Sequence, residues 1–324
     1  MQMITPHIWY NYQSMAVKLL AACSDLGYAN SFVDTFPDYL KTLGIEKMFT
    51  DLNIQYEDLG KVEAPHINKE KFSNPSCKFA STIAEYSKKI AEVIESKVDF
   101  AKDTLITIGG DHSIAIGTIN GVLRKQKKTG VLWIDAHPDA NTPETTLTGW
   151  VYGMCTAALC GLGDEKLVTI NNKNIPHADP KHFAIYGAQY IDPGEHVNTK
   201  ELGIHLTTMD DIIEQGLQQT LNDAVAKVTE GTELLHVSLD LDAIDELYAP
   251  GTSECSKGQF SYREIKYICR KIGKTKRVSS IDIVEGDPSK DIHGKTGKLA
   301  IELLADLLGH EYTDYSSYIS QNAK

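Results

Sequence analysis

The chain has 324 residues, of which 42% are hydrophobic and 23% are charged. These proportions lie close to those of ordinary globular proteins and exclude a disordered, collagen-like or coiled-coil chain. With 32 basic and 44 acidic residues, the formal net charge is −12, which disfavours nucleic acid or an anionic membrane surface as the main partner and suits a cationic small substrate better.

The cysteines and the apolar runs indicate the compartment. The six cysteines contain no C-x-x-C pair, so the sequence predicts neither a disulfide framework nor a thiolate zinc site. No run approaches the roughly 18 apolar residues of a membrane-spanning helix. The early apolar stretch from Met15 to Cys23 is interrupted by Lys18 and is not preceded by basic residues, unlike a signal peptide. We therefore expect a cytoplasmic protein.

Five short apolar runs, each ending in Gly, Asp or a polar cluster, are predicted strands. They cover residues 105–108, 131–134, 183–186, 234–241 and 278–284. Helical spacing of apolar residues predicts helices over 78–93, 209–228 and 261–272. Residues 1–100 are the hardest to interpret, because their apolar residues follow no sustained period.

Two capping boxes support the predicted helix starts: Thr208 with Asp211, and Ser261 with Glu264. Near-continuous apolar strands that alternate with helices are typical of a parallel sheet covered on both faces. The sequence therefore predicts an α/β protein in which residues 1–324 form a single domain.

Three of the predicted strands end in acidic residues and histidine. The side chains concerned are Asp111 and His112, then Asp135, His137 and Asp139, and finally Asp240, Asp242 and Asp245. In open parallel sheets, ligands bind at the carboxyl ends of the strands. Because residues two apart project from the same side of an extended chain, each segment is expected to direct its side chains into one site.

Several carboxylates at one place would repel each other strongly unless cations were bound between them. Imidazole and carboxylate ligands without thiolate suit Mn, Fe, Co or Zn, and so many carboxylates suggest two ions. Two such ions can hold a bridging hydroxide near neutral pH, which is the chemistry of a hydrolase. Each motif taken alone also fits a structural role, and Asp111 and Asp245 fit that alternative best.

Residues 109–113, 135–139 and 238–245, in this order, resemble the metal-binding signatures of the ureohydrolase family, which includes arginase, agmatinase and formiminoglutamase. The resemblance extends from about residue 104 to 309, whereas residues 1–100 match poorly. It implies an arginase-like fold, a three-layer α/β/α sandwich around a parallel sheet.

The resemblance also implies two Mn(II) ions per chain and a metal-bridging hydroxide that attacks the guanidinium carbon of the substrate. One ion would be held by His112, Asp135, Asp139 and Asp240, and the other by His137, Asp135, Asp240 and Asp242. Asp139 would also form a hydrogen bond with the hydroxide, and Glu285 would pair with the guanidinium group. The alternative for Glu285 is a surface-facing residue at a strand end.

Two loops resemble those of the arginase subgroup. By this resemblance, Asn141 and Thr148 contact the substrate α-carboxylate, and Asp192 contacts the α-amino group. Such contacts would distinguish an α-amino acid from agmatine, which has no carboxylate. The alternative is that the loops are only stabilised by Asx and Thr turns.

Four positions around the expected substrate site depart from the arginase pattern, and Glu246 stands where a proline usually follows Asp245. Tyr152 stands where arginases have a histidine described as a proton shuttle, and a phenol is a poor shuttle because its ordinary pKa is about 10. Trp150 replaces a small polar residue, Tyr190 replaces an acidic one, and Glu254 stands where a threonine is usual. Trp150 and Tyr152 would narrow the pocket or stack on a guanidinium group, and Glu254 would add an acidic contact.

The leading prediction is a binuclear manganese hydrolase that releases urea and ornithine from L-arginine, or urea and an amine from a related guanidino amino acid. A second hypothesis is a ureohydrolase with a different guanidino or formimino substrate. A third, motivated by Tyr152, is a metal-binding relative with little turnover. The resemblance also implies a homo-oligomer, a trimer or hexamer.

Overall fold

The computed structural model describes residues 15–27, 31–67, 74–126, 128–172, 174–310 and 312. Within them, one sheet contains the strands β1 (Ala16–Cys23), β2 (Tyr56–Glu63), β3 (Asp103–Gly109), β4 (Thr129–Ile134), β5 (Phe183–Ala188), β6 (His205–Thr208), β7 (Leu234–Asp240) and β8 (Val278–Val284). Their order across the sheet is β2-β1-β3-β8-β7-β4-β5-β6, and every neighbouring pair is parallel.

Helices cover both faces of the sheet. In the described part of the chain they are α1 (Phe36–Leu43), α2 (Ile45–Asp51), α3 (Ala80–Lys97), α4 (Ile114–Lys125), α5 (Cys155–Leu159), α6 (Glu165–Val168), α7 (Pro193–Leu202), α8 (Met209–Gln215), α9 (Leu217–Thr229), α10 (Tyr262–Gly273) and α11 (Lys295–Leu307). None of these described helices combines the length and apolarity needed to cross a bilayer.

The core lies in two layers because alternate strand residues point to opposite faces. In β4, Leu132 and Ile134 pack in the cluster that includes α9, α10 and α11. Val131 and Trp133 of the same strand pack on the other face, in the cluster that includes α4 and α5. The predicted three-layer α/β/α sandwich is therefore confirmed.

The structure corrects one predicted element. Residues 209–228 do not form one helix, because the chain breaks at Gly216 between α8 and α9. Gly216 has φ of +90°, a conformation that residues with a Cβ rarely adopt, so the helical period cannot continue through it. The capping boxes at Thr208 and Ser261 are present as predicted.

The first hundred residues contribute the strands at one side of the sheet. β1 is formed by the early apolar stretch and lies between β2 and β3. Lys18, which interrupts that stretch, forms an ion pair with Glu57 on β2. The interrupting charge is thus accommodated at a cross-strand pair, and the apolar residues on either side of it are buried.

The strand order positions the site. β3, β8, β7 and β4 are neighbours, so their carboxyl ends lie side by side at one edge. β3 and β4 follow each other in the chain through α4 but are not neighbours in the sheet, because β8 and β7 lie between them. Ligand sites of parallel sheets form at such places, where successive connections diverge.

Candidate metal centre

Each of these four strands delivers a polar side chain to the same edge of the sheet. His112 follows β3, Asp135 follows β4, Asp240 ends β7 and Glu285 follows β8. All four are at most 3% exposed. Because the strands are adjacent and parallel, residues far apart in the sequence meet in one buried cluster.

The His112 imidazole is surrounded by three carboxylates. Its Nδ1 lies 3.1 Å from Asp135 Oδ2, 3.3 Å from Asp139 Oδ2 and 3.0 Å from Asp240 Oδ2. Among the described residues, this buried nitrogen has no partner with hydrogen-bond geometry. Nε2, by contrast, lies 2.8 Å from Ser238 Oγ. Nδ1 therefore lies within 3.3 Å of one oxygen of each carboxylate, and the ligand atoms of His112, Asp135 and Asp139 lie close enough together to hold a cation.

His137 forms a second group beside the first. Its Nδ1 lies 3.4 Å from Asp135 Oδ1 and 3.1 Å from Asp242 Oδ2. Asp135 therefore presents one oxygen to each histidine. The His137 side chain is 22% exposed, whereas that of His112 is fully buried. The second group thus lies at the entrance of the site.

Local hydrogen bonds fix the carboxylates before any ligand binds. His137 N donates to Asp135 Oδ1 at 2.7 Å, and Asp242 N donates to Asp240 Oδ1 at 2.8 Å. Both contacts span two residues, which is a common pattern for aspartate at a strand end. Trp133 Nε1 donates to Asp135 Oδ2 at 2.8 Å.

Burial makes it costly to ionise this cluster fully. Burial raises the pKa of Asp139 and of Asp240 well above the ordinary value, and neighbouring carboxylates raise both further. Burial also opposes ionisation of Asp135, yet the adjacent imidazoles of His112 and His137 lower its pKa. Bound divalent cations would supply positive charge beside Asp139 and Asp240 and so favour their ionised forms.

The donor set fits metal ions. Two groups have ligand atoms close enough together to hold an ion: His112, Asp135 and Asp139, and Asp135, His137 and Asp242. They share Asp135 and contain nitrogen and oxygen donors without sulfur, which suits Mn, Fe, Co or Zn. The remaining predicted ligand, Asp240, adjoins the first group through His112 Nδ1 at 3.0 Å.

Glu285 is buried in the cluster and does not face the surface. Its Oε1 accepts a hydrogen bond of 2.6 Å from His112 N, and its Oε2 accepts one from Ser253 Oγ. Burial, together with the carboxylate of Asp111, raises the pKa of Glu285 to about 8. Glu285 and Asp139 both have positive φ, of 63° and 50°, so two rarely adopted backbone conformations occur at this site.

Asp111 and Asp245 have structural contacts. Asp111 accepts hydrogen bonds from Ser113 N at 2.9 Å and from Ser24 Oγ at 2.8 Å. Asp245 accepts from Leu247 N at 3.0 Å and from Gly258 N at 2.7 Å. Both carboxylates therefore stabilise the loops that carry the cluster.

The two loops predicted to contact the substrate meet at Asn141 and Asp192. Asn141 Nδ2 donates to Asp192 Oδ2 at 3.0 Å, and Thr145 Oγ1 donates to Asn141 Oδ1 at 2.9 Å. Thr148 is exposed, and its Oγ1 accepts from Trp150 N at 3.3 Å in a local turn. The structure thus joins Asn141 to Asp192 and gives Thr148 a contact within its own loop.

The aromatic departures lie in two places. The Trp150 ring contacts Phe79, with 6.1 Å between centroids, and Lys78 Nζ lies 4.2 Å from the Trp150 centroid. The Tyr190 ring stacks on His137 at 5.5 Å. Tyr190 is therefore beside the cluster of histidines and aspartates, and Trp150 contacts the segment just before α3.

Tyr152 and Glu254 form a pair at the same entrance. The Tyr152 hydroxyl donates to Glu254 Oε1 at 3.2 Å, and Glu254 Oε2 lies 3.7 Å from His137 Nε2. Burial raises the pKa of the Tyr152 phenol far above its ordinary value, and Glu254 raises it further. The phenol therefore keeps its proton near neutral pH.

Sequence reasoning missed several supporting residues. Glu195 is 4% exposed and accepts from Ala140 N at 3.1 Å and from Asp192 N at 2.9 Å, and burial raises its pKa to about 7. Its spacing of three from Asp192 is a capping-box signal that could have been noticed. Ser238 precedes Asp240 by two residues on β7, which places both on one face, but its contact with His112 required the fold.

Comparison with known proteins gives one consistent result. A family model described as the Arginase family matches residues 37–309. An arginase of Plasmodium berghei is 32% identical over 335 residues, covering 93% of this chain and 94% of that protein. An arginase of Bacillus subtilis is 33% identical over 294 residues, covering 90% of this chain and 97% of that protein.

A solved structure is similar as well. The native arginase of Bacillus caldovelox superposes with a TM-score of 0.86 at 30% sequence identity, over 92% of this chain and 100% of that one. The likeness therefore covers most of the chain and is not confined to the three sequence motifs.

Proposed function

Because this chain belongs to the arginase family, we propose that it is a binuclear manganese hydrolase that cleaves L-arginine or a related guanidino amino acid to urea and an amine, ornithine in the case of arginine. That it is a ureohydrolase, which hydrolyses C–N bonds, follows from family membership. The observation that carries the finer proposal is the buried His112 Nδ1 among three carboxylate oxygens, beside a second histidine that shares Asp135.

The proposed ligands are the six side chains of the cluster. One Mn(II) would be held by His112, Asp135, Asp139 and Asp240, and the other by His137, Asp135, Asp240 and Asp242. Two such ions, when bound, make water acidic enough to act as a nucleophile near neutral pH. The raised pKa of Asp139 and of Asp240 supports the assignment, since the cluster is short of positive charge.

The guanidinium end of the substrate is assigned to Glu285. Ser253 Oγ and His112 N hold its two oxygens, so the carboxylate is oriented in advance. A guanidinium cation beside it would favour the ionised form, which opposes the effect of burial on the pKa of Glu285. We assign to Asp139 the hydrogen bond to the attacking water.

The amino acid end is assigned to the loops that meet at Asn141 and Asp192. Asn141 and Thr148 would contact the α-carboxylate, and Asp192 would contact the α-amino group. The 3.0 Å contact between Asn141 and Asp192 supports a shared pocket for these two. Trp150 would limit the pocket on the α3 side.

Near the leaving group we propose Tyr152 as a hydrogen-bond donor, with Glu254 as an additional acidic contact. The phenol is unsuited to shuttle a proton because burial raises its pKa. Proton delivery to the leaving amine would then involve water.

A second candidate is a ureohydrolase that acts on another guanidino or formimino acid, and a third is a metal-binding relative with little turnover. The substituted positions around an intact ligand set favour the second over the third. Tyr190 and Glu254 both contact His137, so the changes lie beside the proposed chemistry.

The test is urea and ornithine release from L-arginine by purified protein reconstituted with Mn(II), with metal-stripped protein as the control. Metal-dependent release supports the arginase assignment. If two ions are bound but arginine is not cleaved, a panel of agmatine, formiminoglutamate and guanidino acids other than arginine separates the second candidate from the third.

We also propose a cytoplasmic homo-oligomer, a trimer or hexamer, in which residues 1–324 form one domain. The single sheet assembled from strands between Ala16 and Val284 supports the domain proposal. The six cysteines are all unpaired, as is usual in a reducing compartment. Light scattering during size-exclusion chromatography would measure the oligomeric state.

A further inference from the structure

The two histidines of the cluster are held in different ways. His112 is fully buried, its ring stacks on Trp133 at 3.7 Å with 7° between the planes, and its Nε2 contacts Ser238 Oγ at 2.8 Å. His137 lies at the entrance with 22% of its side chain exposed. An imidazole in that position needs other contacts to keep one orientation.

The protonation of His137 defines what those contacts must provide. Its Nδ1 faces Asp135 and Asp242, so Nδ1 must be unprotonated to bind a metal ion there. The proton then resides on Nε2, which requires an acceptor outside the metal cluster. Such outer partners fix the tautomer and ring orientation of metal-binding histidines.

Glu254 lies where that acceptor is required. Its Oε2 is 3.7 Å from His137 Nε2, which is longer than a hydrogen bond. Its other oxygen accepts the Tyr152 hydroxyl at 3.2 Å, so the carboxylate is held between phenol and imidazole. The Tyr190 ring covers the His137 ring at 5.5 Å with 28° between the planes.

We propose that Tyr190, Glu254 and Tyr152 act together as a clamp that positions His137 and thereby sets the affinity of the metal ion on the entrance side of the site. These three positions all depart from the arginase pattern; in the structure Tyr190 and Glu254 contact His137, and Tyr152 contacts Glu254. The departures are thus linked changes around a metal ligand. The inference rests on the proposed two-metal centre.

The test measures metal binding and does not depend on turnover. Metal-stripped protein is titrated with MnCl2 by calorimetry, and the Mn(II) electron paramagnetic resonance spectrum reports whether the two ions are coupled. Wild-type protein is expected to bind two ions. Glu254→Ala should lower the affinity for one of them by about 10- to 100-fold. At limiting manganese, this variant should therefore give the spectrum of an isolated ion.

Other variants test the remaining parts of the clamp. Glu254→Gln keeps a hydrogen-bond acceptor without the charge and should lower the affinity for manganese by less than Glu254→Ala does. If Glu254 acted only through packing, Glu254→Gln would restore the wild-type affinity completely. Tyr190→Ala and Tyr152→Phe should each lower the affinity for the same ion by a smaller factor than Glu254→Ala does.

Glu246→Ala is the matched control. Glu246 lies on the same connection, its side chain is 36% exposed against 38% for Glu254, and it pairs with Lys257 at 3.6 Å. The control changes the net charge equally and should bind both ions as wild-type protein does. If Glu246→Ala lost as much manganese affinity as Glu254→Ala, the loss would be due to the change in net charge, and the clamp would be overturned.

Two further outcomes overturn the inference in distinguishable ways. If wild-type protein binds two ions and Glu254→Ala binds them with unchanged affinity, the clamp is wrong and the metal centre stands. If wild-type protein binds fewer than two ions, the proposed metal centre fails and the clamp fails with it.

Discussion

Trp133 donates its indole Nε1–H to Asp135 Oδ2 at 2.8 Å, so the carboxylate shared by both histidines is fixed from two residues earlier in the chain. The same indole ring stacks on His112. One buried aromatic side chain therefore orients a ligand of each proposed ion. Neither contact requires the metal to be present.

Trp133→Phe should lower manganese affinity by about 10- to 100-fold, because the phenyl ring keeps the stacking surface but loses the donor to Asp135. Calorimetric titration measures the change. The smaller ring should also lower the free energy of unfolding by about 1–3 kcal/mol. Trp150→Phe, which changes an indole that contacts Phe79 and Lys78, is the control and should keep wild-type affinity. Unchanged affinity in Trp133→Phe would remove the indole from the metal site.

Asp240→Ala should lose both ions, because the proposed ligand bridges them and lies 3.0 Å from His112 Nδ1. Elemental analysis after dialysis measures the metal content, and activity should fall to the level of the metal-stripped protein. Asp223→Ala removes an exposed carboxylate of α9 with the same change in charge and should retain full metal content. Full occupancy in Asp240→Ala would contradict the bridging assignment.

Tyr152→His should raise kcat for arginine, by about 10-fold or more, if proton delivery limits turnover, because an imidazole titrates near neutral pH and a buried phenol does not. The assay needs saturating Mn(II), since the substitution also removes the hydroxyl that contacts Glu254. Tyr152→Phe serves as the control for loss of that hydroxyl. An unchanged kcat at full metal occupancy would show that the missing imidazole is not limiting.

Asn141→Ala should lower kcat/KM for L-arginine by about 10- to 100-fold, the effect of losing a hydrogen bond to a charged group. Agmatine lacks the α-carboxylate, so any turnover of agmatine should change less. The ratio of the two kcat/KM values is the measurement. Equal losses for both substrates would indicate that the contact of Asn141 with Asp192 only stabilises the loop.

Local sequence features determined much of the fold and the ligand set. The five predicted strands all occur, since continuous apolar runs between turn-forming residues are a local property that burial on both faces requires. The spacing of two within 135–139 and 240–242 marked the proposed ligands, but the chain there is not extended as expected: Asp139 has φ of 50°, and Asp242 lies in a short 3-10 helix (Leu241–Ala243). The parallel order of the strands brings these side chains to one edge.

Tertiary structure decided what no local period could reveal. β1 and β2 became strands through pairing in the sheet, and Gly216 divided a helix whose apolar spacing looked continuous. The sequence marked Tyr152, Tyr190 and Glu254 as separate departures, whereas only the fold showed that Tyr190 and Glu254 contact His137 and that Tyr152 contacts Glu254. Contacts between distant loops depend on strand order and packing, and neither can be predicted from the spacing of neighbouring residues.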